Sequence, residues 1–103
     1  MNGILRERIE KYALTPFQKE VLFATALIPK GETRTYRQIA EQIGHPHAYR
    51  AVGSVMKMNP FAPDVPCHRV IRSSGELGNY SGRGGPKRKL DLLKGEGYVF
   101  TKN

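Results

Sequence analysis

The chain has 103 residues, in which 17 lysines and arginines outnumber nine aspartates and glutamates, so the formal net charge is +8 and the sequence pI about 9.9. This length suits a single domain over residues 1–103 and excludes two independent cores. The charge favours a polyanionic partner, either nucleic acid or an acidic membrane surface. No apolar run reaches the length of a membrane span and residues 1–12 mix both charge signs, so we expect an intracellular protein without a membrane segment.

The first part of the chain predicts two helices. Apolar residues recur at helical spacing between residues 4 and 13, which indicates a short amphipathic helix. Thr15-Pro16-Phe17-Gln18 then combines a capping threonine, a proline at the first helical position and a glutamine three residues after the cap. We therefore expect a second helix from this point to about Ile28, where Pro29-Lys30-Gly31 ends it.

The next segment predicts a helix-turn-helix. After an extended piece at residues 32–35, Thr35-Tyr36-Arg37-Gln38 repeats the capping pattern and starts a helix that Gly44 ends. A further helix is expected from about Pro46 to Met58, before Asn59-Pro60. Such helix pairs serve either in DNA binding or as plain structure, and the pattern alone leaves both interpretations open.

The second helix of this pair has two unlike faces. Apolar side chains at spacings of three and four form one face; they are Ala48, Ala51, Val52, Val55 and Met56. The opposite face is small and basic, with Arg50, Gly53, Ser54 and Lys57. A glycine inside a helix costs about 1 kcal/mol relative to alanine, a cost that close approach of DNA would explain. The alternative is a packing glycine on a solvated face.

The rest of the chain predicts short strands and a last helix. Strands are expected at residues 70–71, 77–80 and 98–100, and a helix follows Gly84-Gly85-Pro86. The basic cluster at residues 87–89 is interpreted as a solvated surface, with phosphate contact as the alternative. The predicted fold class is α/β, mostly α: a winged-helix-like domain with a helix-turn-helix and a few short strands.

The single cysteine, Cys67, allows three interpretations. One thiol cannot form an internal disulfide, so it is a buried apolar filler, a metal ligand or a nucleophile. A metal site is disfavoured because the pair His45 and His47 lacks a standard ligand spacing, and we expect no metal or cofactor. His68 and Arg69 follow the cysteine directly, and each favours the thiolate by its charge or by accepting the proton. These neighbours favour a nucleophile.

The segment Pro66-Cys67-His68-Arg69-Val70 resembles the active-site signature of the O6-alkylguanine-DNA alkyltransferases. The resemblance extends from about Thr15 to Tyr98 and includes four further motifs: Gly31-Glu32-x-x-x-Tyr36, Arg50-Ala51-Val52-Gly53, Asn59-Pro60 and Gly78-Asn79-Tyr80-Ser81-Gly82. It implies a winged-helix-like domain that binds alkylated duplex DNA as a monomer, with the second helix of the helix-turn-helix in the minor groove. The chain has the short length of the alkyltransferase-like proteins, but it retains the cysteine that those proteins usually lack.

The resemblance also implies catalytic roles. Cys67 matches the alkyl acceptor, and His68 matches the histidine that helps to take the thiol proton through a water. Glu96 matches the glutamate that orients this histidine. Tyr36 matches the tyrosine that assists rotation of the target nucleotide and donates a proton to the guanine ring. Asn59 matches the asparagine that braces the turn between the recognition helix and the cysteine segment.

Further positions are implied to contact DNA and the extruded base. Arg50 matches the arginine finger that fills the gap left in the base stack, beside Gly53, Ser54 and Lys57 on the same face. The implied pocket around the base consists of Pro66, Val70, Tyr80 and Ser81, with Ser81 contacting the guanine oxygen. One departure concerns the finger: Tyr49 precedes Arg50 at a position where the family carries a small residue.

Three functions follow as hypotheses. An alkyl group on guanine O6 is inaccessible inside a stacked duplex, so the base must be flipped out before the thiol attacks. The resulting thioether has no good leaving group, so we expect one turnover per molecule and a stoichiometric methyltransferase that acts in the cytoplasm or, in a eukaryote, in the nucleus. The second hypothesis is a sensor that binds alkylated DNA and recruits nucleotide excision repair proteins. The third is a helix-turn-helix transcription regulator that selects one duplex sequence.

Overall fold

The computed structural model describes residues 3–74 and 85–97, and this part of the chain is mostly helical. Its elements in chain order are α1 (Gly3–Lys11), α2 (Pro16–Ala26), β1 (Arg34–Thr35), α3 (Tyr36–Gln42), α4 (Tyr49–Met58), a 3₁₀ turn (Cys67–Arg69), β2 (Val70–Ile71) and α5 (Gly85–Gly95). The predicted fold class is confirmed. The strands expected at residues 77–80 and 98–100 lie outside the described residues.

Capping boxes start α2 and α3, as the sequence predicts. The Thr15 hydroxyl accepts a hydrogen bond from the Gln18 backbone N–H at 3.1 Å, and the Gln18 side chain accepts one from the Thr15 N–H at 2.9 Å. Thr35 and Gln38 repeat both bonds at 3.0 and 2.8 Å. Each box satisfies two N–H groups that a helix start leaves without partners, and such a cap is typically worth about 1 kcal/mol.

The turn between α3 and α4 is built around Gly44, whose φ of +82° is accessible to glycine at little cost. The His45 N–H donates to the Ala40 carbonyl at 2.9 Å, and the Gly44 N–H donates to the Glu41 carbonyl at 3.1 Å, which is the Schellman pattern. The predicted helix start at Pro46 is wrong by three residues. The Ala48 N–H donates to the His45 carbonyl at 2.9 Å, so this segment closes a further turn before α4 begins.

The core lies where α2, α3 and α4 pack on the cysteine segment. Its buried members are Leu5, Ile9, Val21, Leu22, Ala24, Ile28, Ile39, Ala40, Val52, Val55, Met56, Phe61, Val65, Cys67 and Val70. Two expectations for the apolar face of α4 are corrected: Ala51 is exposed and Ala48 is half-buried. Both lie in or just before the first turn of the helix, whereas Val52, Val55 and Met56 are buried in the core.

The strands β1 and β2 connect the helix-turn-helix to the cysteine segment. They pair in parallel, with Arg34 opposite Val70 and Thr35 opposite Ile71. Because α3 begins at Tyr36, directly after β1, this register brings the first turn of α3 beside the residues that follow Cys67. The pairing of β1 with β2 therefore holds Tyr36, at the start of α3, beside the cysteine segment, although the two are far apart in the sequence.

Candidate functional site

Asn59 links the end of α4 to the cysteine segment. Its side chain is almost fully buried: Nδ2 donates to the Val65 carbonyl at 3.0 Å, and Oδ1 accepts from the Phe61 N–H at 2.9 Å. The same Val65 carbonyl accepts the Cys67 backbone N–H at 2.8 Å. Asn59 is therefore one hydrogen-bonded carbonyl away from the cysteine backbone, a geometry that suits the bracing role implied by the resemblance.

Cys67 opens the 3₁₀ turn and has no exposed surface. The Arg69 N–H donates to the Pro66 carbonyl at 2.9 Å, and the Val70 N–H donates to the Cys67 carbonyl, so the turn is held on both sides of the cysteine. Pro66 and Val70, two predicted pocket residues, are buried beside it. Their side chains and the thiol belong to one enclosed region rather than to an open surface.

His68 and Glu96 form a pair, as the family resemblance implies. His68 Nε2 lies 3.1 Å from Glu96 Oε1, and the exposed fractions of the two side chains are 2% and 14%. Burial lowers the pKa of His68, and this effect outweighs the Glu96 carboxylate, which raises it. The imidazole is therefore neutral at neutral pH, and an Nε2–H donated to Glu96 places the ring's basic lone pair on Nδ1.

Arg69 also holds Glu96 in place. Its Nε donates to Glu96 Oε1 at 2.9 Å and its Nη2 donates to Oε2 at 2.5 Å, while Nη1 donates to the Ile28 carbonyl at 2.7 Å. These hydrogen bonds lower the pKa of Glu96, so the carboxylate stays ionised. From the sequence, the charge of Arg69 is expected to favour the thiolate of Cys67. The structure instead places its guanidinium on the carboxylate that holds His68.

Lys89 is a site residue that the sequence analysis missed. The sequence favours a solvated cluster at residues 87–89, yet the exposed fraction of Lys89 is 0%, whereas Lys87 and Arg88 are exposed. Its Nζ donates to the Val70 carbonyl at 2.6 Å and lies 5.9 Å from the centroid of the Tyr36 ring. Burial lowers its pKa to about 8. The signal was present, because Lys89 precedes the buried Leu93 by four residues and therefore shares its helix face.

A cleft of about 640 Å³ lies between α3, α4 and the segment after β2. The described residues that line it are Tyr36, Arg37, Tyr49, Arg50, Gly53, Ser54, Lys57, Arg72, Ser73 and Ser74. This set contains four cations and no acidic residue, so a negatively charged ligand is favoured. It also unites all five predicted DNA-binding residues, Tyr36, Arg50, Gly53, Ser54 and Lys57. Cys67 is not among these described residues of the lining.

Gly53 lines this cleft, and its surroundings leave room for a small side chain. A Cβ added there would meet Tyr36 Cδ1 at 4.0 Å, an ordinary van der Waals contact. Packing among the described residues therefore accepts an alanine at this position, which argues against the packing-glycine interpretation. Glycine destabilises the helix here although no contact among the described residues requires it. Such a residue is expected where a ligand approaches the helix backbone closely.

Some expectations concern parts of the chain without a structural description. Tyr80 and Ser81, the remaining predicted pocket residues, lie outside the described residues. Within residues 3–74 and 85–97, no cluster of three metal-ligating side chains occurs. In the same ranges, none of the helices has the length and apolar character to cross a membrane.

Residues 16–98 match the family model of the DNA-binding domain of 6-O-methylguanine DNA methyltransferase. The chain belongs to this family. The match covers α2 to α5 and therefore includes the helix-turn-helix, the cysteine segment and Glu96. The family predicted from the cysteine motif is confirmed.

Curated relatives support the same assignment. A methylated-DNA–protein-cysteine methyltransferase of Mycobacterium leprae is 55% identical over 80 residues, which are 78% of this chain and 47% of that protein. The enzyme of the same name from Salmonella typhimurium is 49% identical over 86 residues, 84% of this chain and 49% of that protein. The chain thus spans about half the length of the curated relatives it matches.

Solved structures of two kinds resemble the fold. Mycobacterium tuberculosis OGT in complex with DNA has a TM-score of 0.77 and 52% identity, over 82% of this chain and 50% of that one. S. pombe Atl1 in complex with damaged DNA containing O6-carboxymethylguanine has a TM-score of 0.75 and 34% identity. In that second comparison the match covers 89% of this chain and 85% of the other, so the two chains are of similar length.

Proposed function

We propose that this protein repairs DNA by transferring the alkyl group of O6-alkylguanine to Cys67 in a single turnover. The observation that carries the proposal is the placement of Cys67 directly before a buried, neutral histidine whose Nε2 is held by an ionised Glu96. A histidine in this state accepts a proton at neutral pH. Membership of the family supports this chemistry. The Mycobacterium leprae relative is named a methylated-DNA–protein-cysteine methyltransferase, which is the activity proposed here.

The basic cleft supports duplex DNA as the partner. Arg37, Arg50, Lys57 and Arg72 line it together with small residues of α4, so phosphates are attracted while the helix backbone approaches closely. Arg50 is exposed and long enough to occupy the space that a flipped nucleotide leaves. We propose that the protein acts on DNA as a monomer inside the cell.

The proposed reaction conserves atoms and charge. The thiol proton passes through a water to His68, and the sulfur of Cys67 forms a bond to the alkyl carbon while the bond from that carbon to O6 breaks. The electron pair of the broken bond stays on the guanine, which takes a proton from the Tyr36 phenol; solvent then returns a proton to Tyr36 and accepts the proton held by His68. The products are normal guanine and a thioether on Cys67. Because a thioether is a poor leaving group, the protein is consumed.

A second candidate function is recognition of the lesion without transfer. Cys67 is fully buried, and the described lining of the cleft does not include it. Transfer therefore requires that the groups covering the sulfur move when the base enters. The match to S. pombe Atl1 in complex with damaged DNA containing O6-carboxymethylguanine favours this alternative, and we propose recruitment of excision repair proteins as its consequence. A transcription regulator has no comparable support.

Intact-mass measurement separates these functions. The protein is mixed with a duplex containing one O6-methylguanine, and its mass is measured before and after. Transfer adds one CH₂ to the peptide that contains Cys67, and Cys67→Ser abolishes the change while retaining binding of the duplex. Tight binding with no change in mass would establish the sensor instead. Binding that ignores the lesion and depends on sequence would establish the regulator.

A further inference from the structure

An aromatic ring and two guanidinium groups gather at the start of α4. Tyr49 is the first residue of this helix and is 37% exposed. The Cζ atom of Arg50 lies 5.9 Å from the centroid of its ring, and the Cζ atom of Arg37, on α3, lies 5.6 Å from the same centroid. Both separations are within the range of cation–π attraction. One ring therefore holds two cations that belong to different helices.

These three side chains lie at the cleft that is proposed to bind DNA. Tyr49, Arg37 and Arg50 all line the basic cleft, together with Gly53 and Ser54 of the same helix. Since Gly53 and Ser54 follow Arg50 by three and four residues, they share its face of α4. The ring thus holds the Arg50 guanidinium over the cleft rather than turned away from it.

This position matters because a long side chain loses freedom when it enters a base stack. Arginine has several rotatable bonds, and fixing it in one arrangement costs on the order of 2 kcal/mol of rotamer entropy. A neighbour that already restricts these rotations in the free protein removes part of that cost from the binding step. An exposed cation–π contact is of the right strength for this task, because it restrains the guanidinium without preventing its departure.

We propose that Tyr49 is a positioning residue that pre-orders Arg50 for insertion into the duplex, with Arg37 as a second cation on the same ring. The inference rests on the proposed function, because it takes Arg50 as the inserted side chain. It adds a specific role for an aromatic residue at the start of α4. Tyr49 acts through Arg50 and has no part in the bond that forms at Cys67.

The first test compares two substrates and three proteins. Transfer rates are measured for wild type, Tyr49→Phe and Tyr49→Leu, on a duplex with one O6-methylguanine and on free O6-benzylguanine, whose benzylic carbon is reactive without DNA. Tyr49→Leu is expected to lower the duplex rate about two- to fivefold, the strength of an exposed cation–π contact. Tyr49→Phe retains the ring and the rate. Neither variant changes the rate on the free base, for which Arg50 is not needed.

The second test is a double-mutant cycle. In an Arg50→Ala background, Tyr49→Leu is expected to cause no further loss on the duplex, since the ring has no finger to order. The matched control pairs Tyr49→Leu with Lys57→Ala. Lys57 lies in the same cleft, about 12 Å from Tyr49 along the helix axis. The losses of duplex rate caused by Tyr49→Leu and Lys57→Ala should therefore add. Additivity with Arg50→Ala, a faster duplex rate in Tyr49→Leu, or equal losses on both substrates would overturn the proposal.

Failure of the proposed function gives a different result. If wild type leaves its own mass unchanged on the methylated duplex, transfer is absent, and the same cycle is then read from the dissociation constants for methylated and unmodified duplex. Coupling between Tyr49 and Arg50 in the preference for methylated DNA would support the positioning role even without chemistry. Independent effects of the two substitutions on that preference would overturn it.

Discussion

The two charged regions of this molecule differ in what surrounds their charges. Behind Cys67, the charged groups of Arg69, Glu96 and Lys89 are wholly or largely enclosed and held by hydrogen bonds of 2.5 to 3.1 Å. In the cleft, cations such as Arg50 and Lys57 are exposed and line open space. Enclosure shifts the pKa values of buried groups and fixes their orientations, which suits proton transfer, whereas exposed cations attract phosphates and are screened by salt. Substitutions in the enclosed region should therefore affect the chemical step, whereas substitutions in the cleft should affect the use of duplex DNA.

The largest loss is expected when His68, the proposed proton acceptor, is removed. His68→Asn should lower the transfer rate by about 10² or more on the duplex and on a free alkylated base alike, because proton transfer is needed in both. In wild type, burial lowers the pKa of His68 below its ordinary 6.5, so loss of rate through protonation of His68 should begin at a lower pH than for an ordinary histidine. Single-turnover rates measured from about pH 8 downwards test the claim. A decline that begins above pH 7 would contradict a neutral, buried histidine.

Substitution in the cleft should instead separate the two substrates. Arg50→Ala removes the side chain proposed to fill the vacated stack and should lower transfer from duplex on the order of tenfold, while attack on the free base is unchanged. Parallel rate measurements on both substrates provide the check. Equal losses on the two would refute the finger role and would assign Arg50 to the chemistry.

The buried Lys89 should make the free energy of unfolding depend on pH. Its pKa is about 8 in the folded protein and near 10.5 when unfolded, so between these values the unfolded chain binds more protons and stability rises with pH. The free energy of unfolding of wild type relative to Lys89→Met should therefore rise by about 1.4 kcal/mol per pH unit in this interval. Urea denaturation near pH 8 and pH 10 measures it. The control Lys94→Met, at an exposed position of the same helix, retains Lys89 and should keep the rise seen in wild type.

Gly53 gives the cleft the smallest and most specific effect. Gly53→Ala should stabilise the protein by up to about 1 kcal/mol, since the added methyl has room and alanine favours the helix. The same methyl should weaken duplex binding, because it fills the space where DNA approaches. Thermal unfolding and binding titrations decide the point, with Gly95→Ala in α5 as the control that stabilises without affecting binding. Binding that is unchanged in Gly53→Ala would remove the close-approach interpretation.

The sequence predicted the fold where local chemistry determines it. The capping threonines at positions 15 and 35 and the glycine at position 44 act on their own neighbours, so their motifs could be recognised without a structure. The start of α4 could not, because the carbonyl of His45 captures the N–H of Ala48 and delays the helix. Local signals of this kind compete, and the sequence does not show which one dominates.

The residues of the candidate site were proposed from the resemblance, whereas their contacts were harder to predict. The resemblance named Cys67, His68 and Glu96, and the structure brings the last two together across 28 positions of sequence. The partner of Arg69 and the burial of Lys89 depend on how α5 docks against the cysteine segment, a long-range contact that local patterns do not report. The helix spacing of Lys89 was the one available signal.

The central claim is that Cys67 is consumed in restoring guanine. The most direct measurement titrates a fixed amount of protein with a duplex whose O6-methyl group is radiolabelled, and follows label on protein and on DNA to the end point. The account predicts a plateau at one methyl group per protein molecule, with all label on the peptide that contains Cys67. Label that stays on the DNA, that exceeds the amount of protein in released form, or that maps to another residue would contradict it.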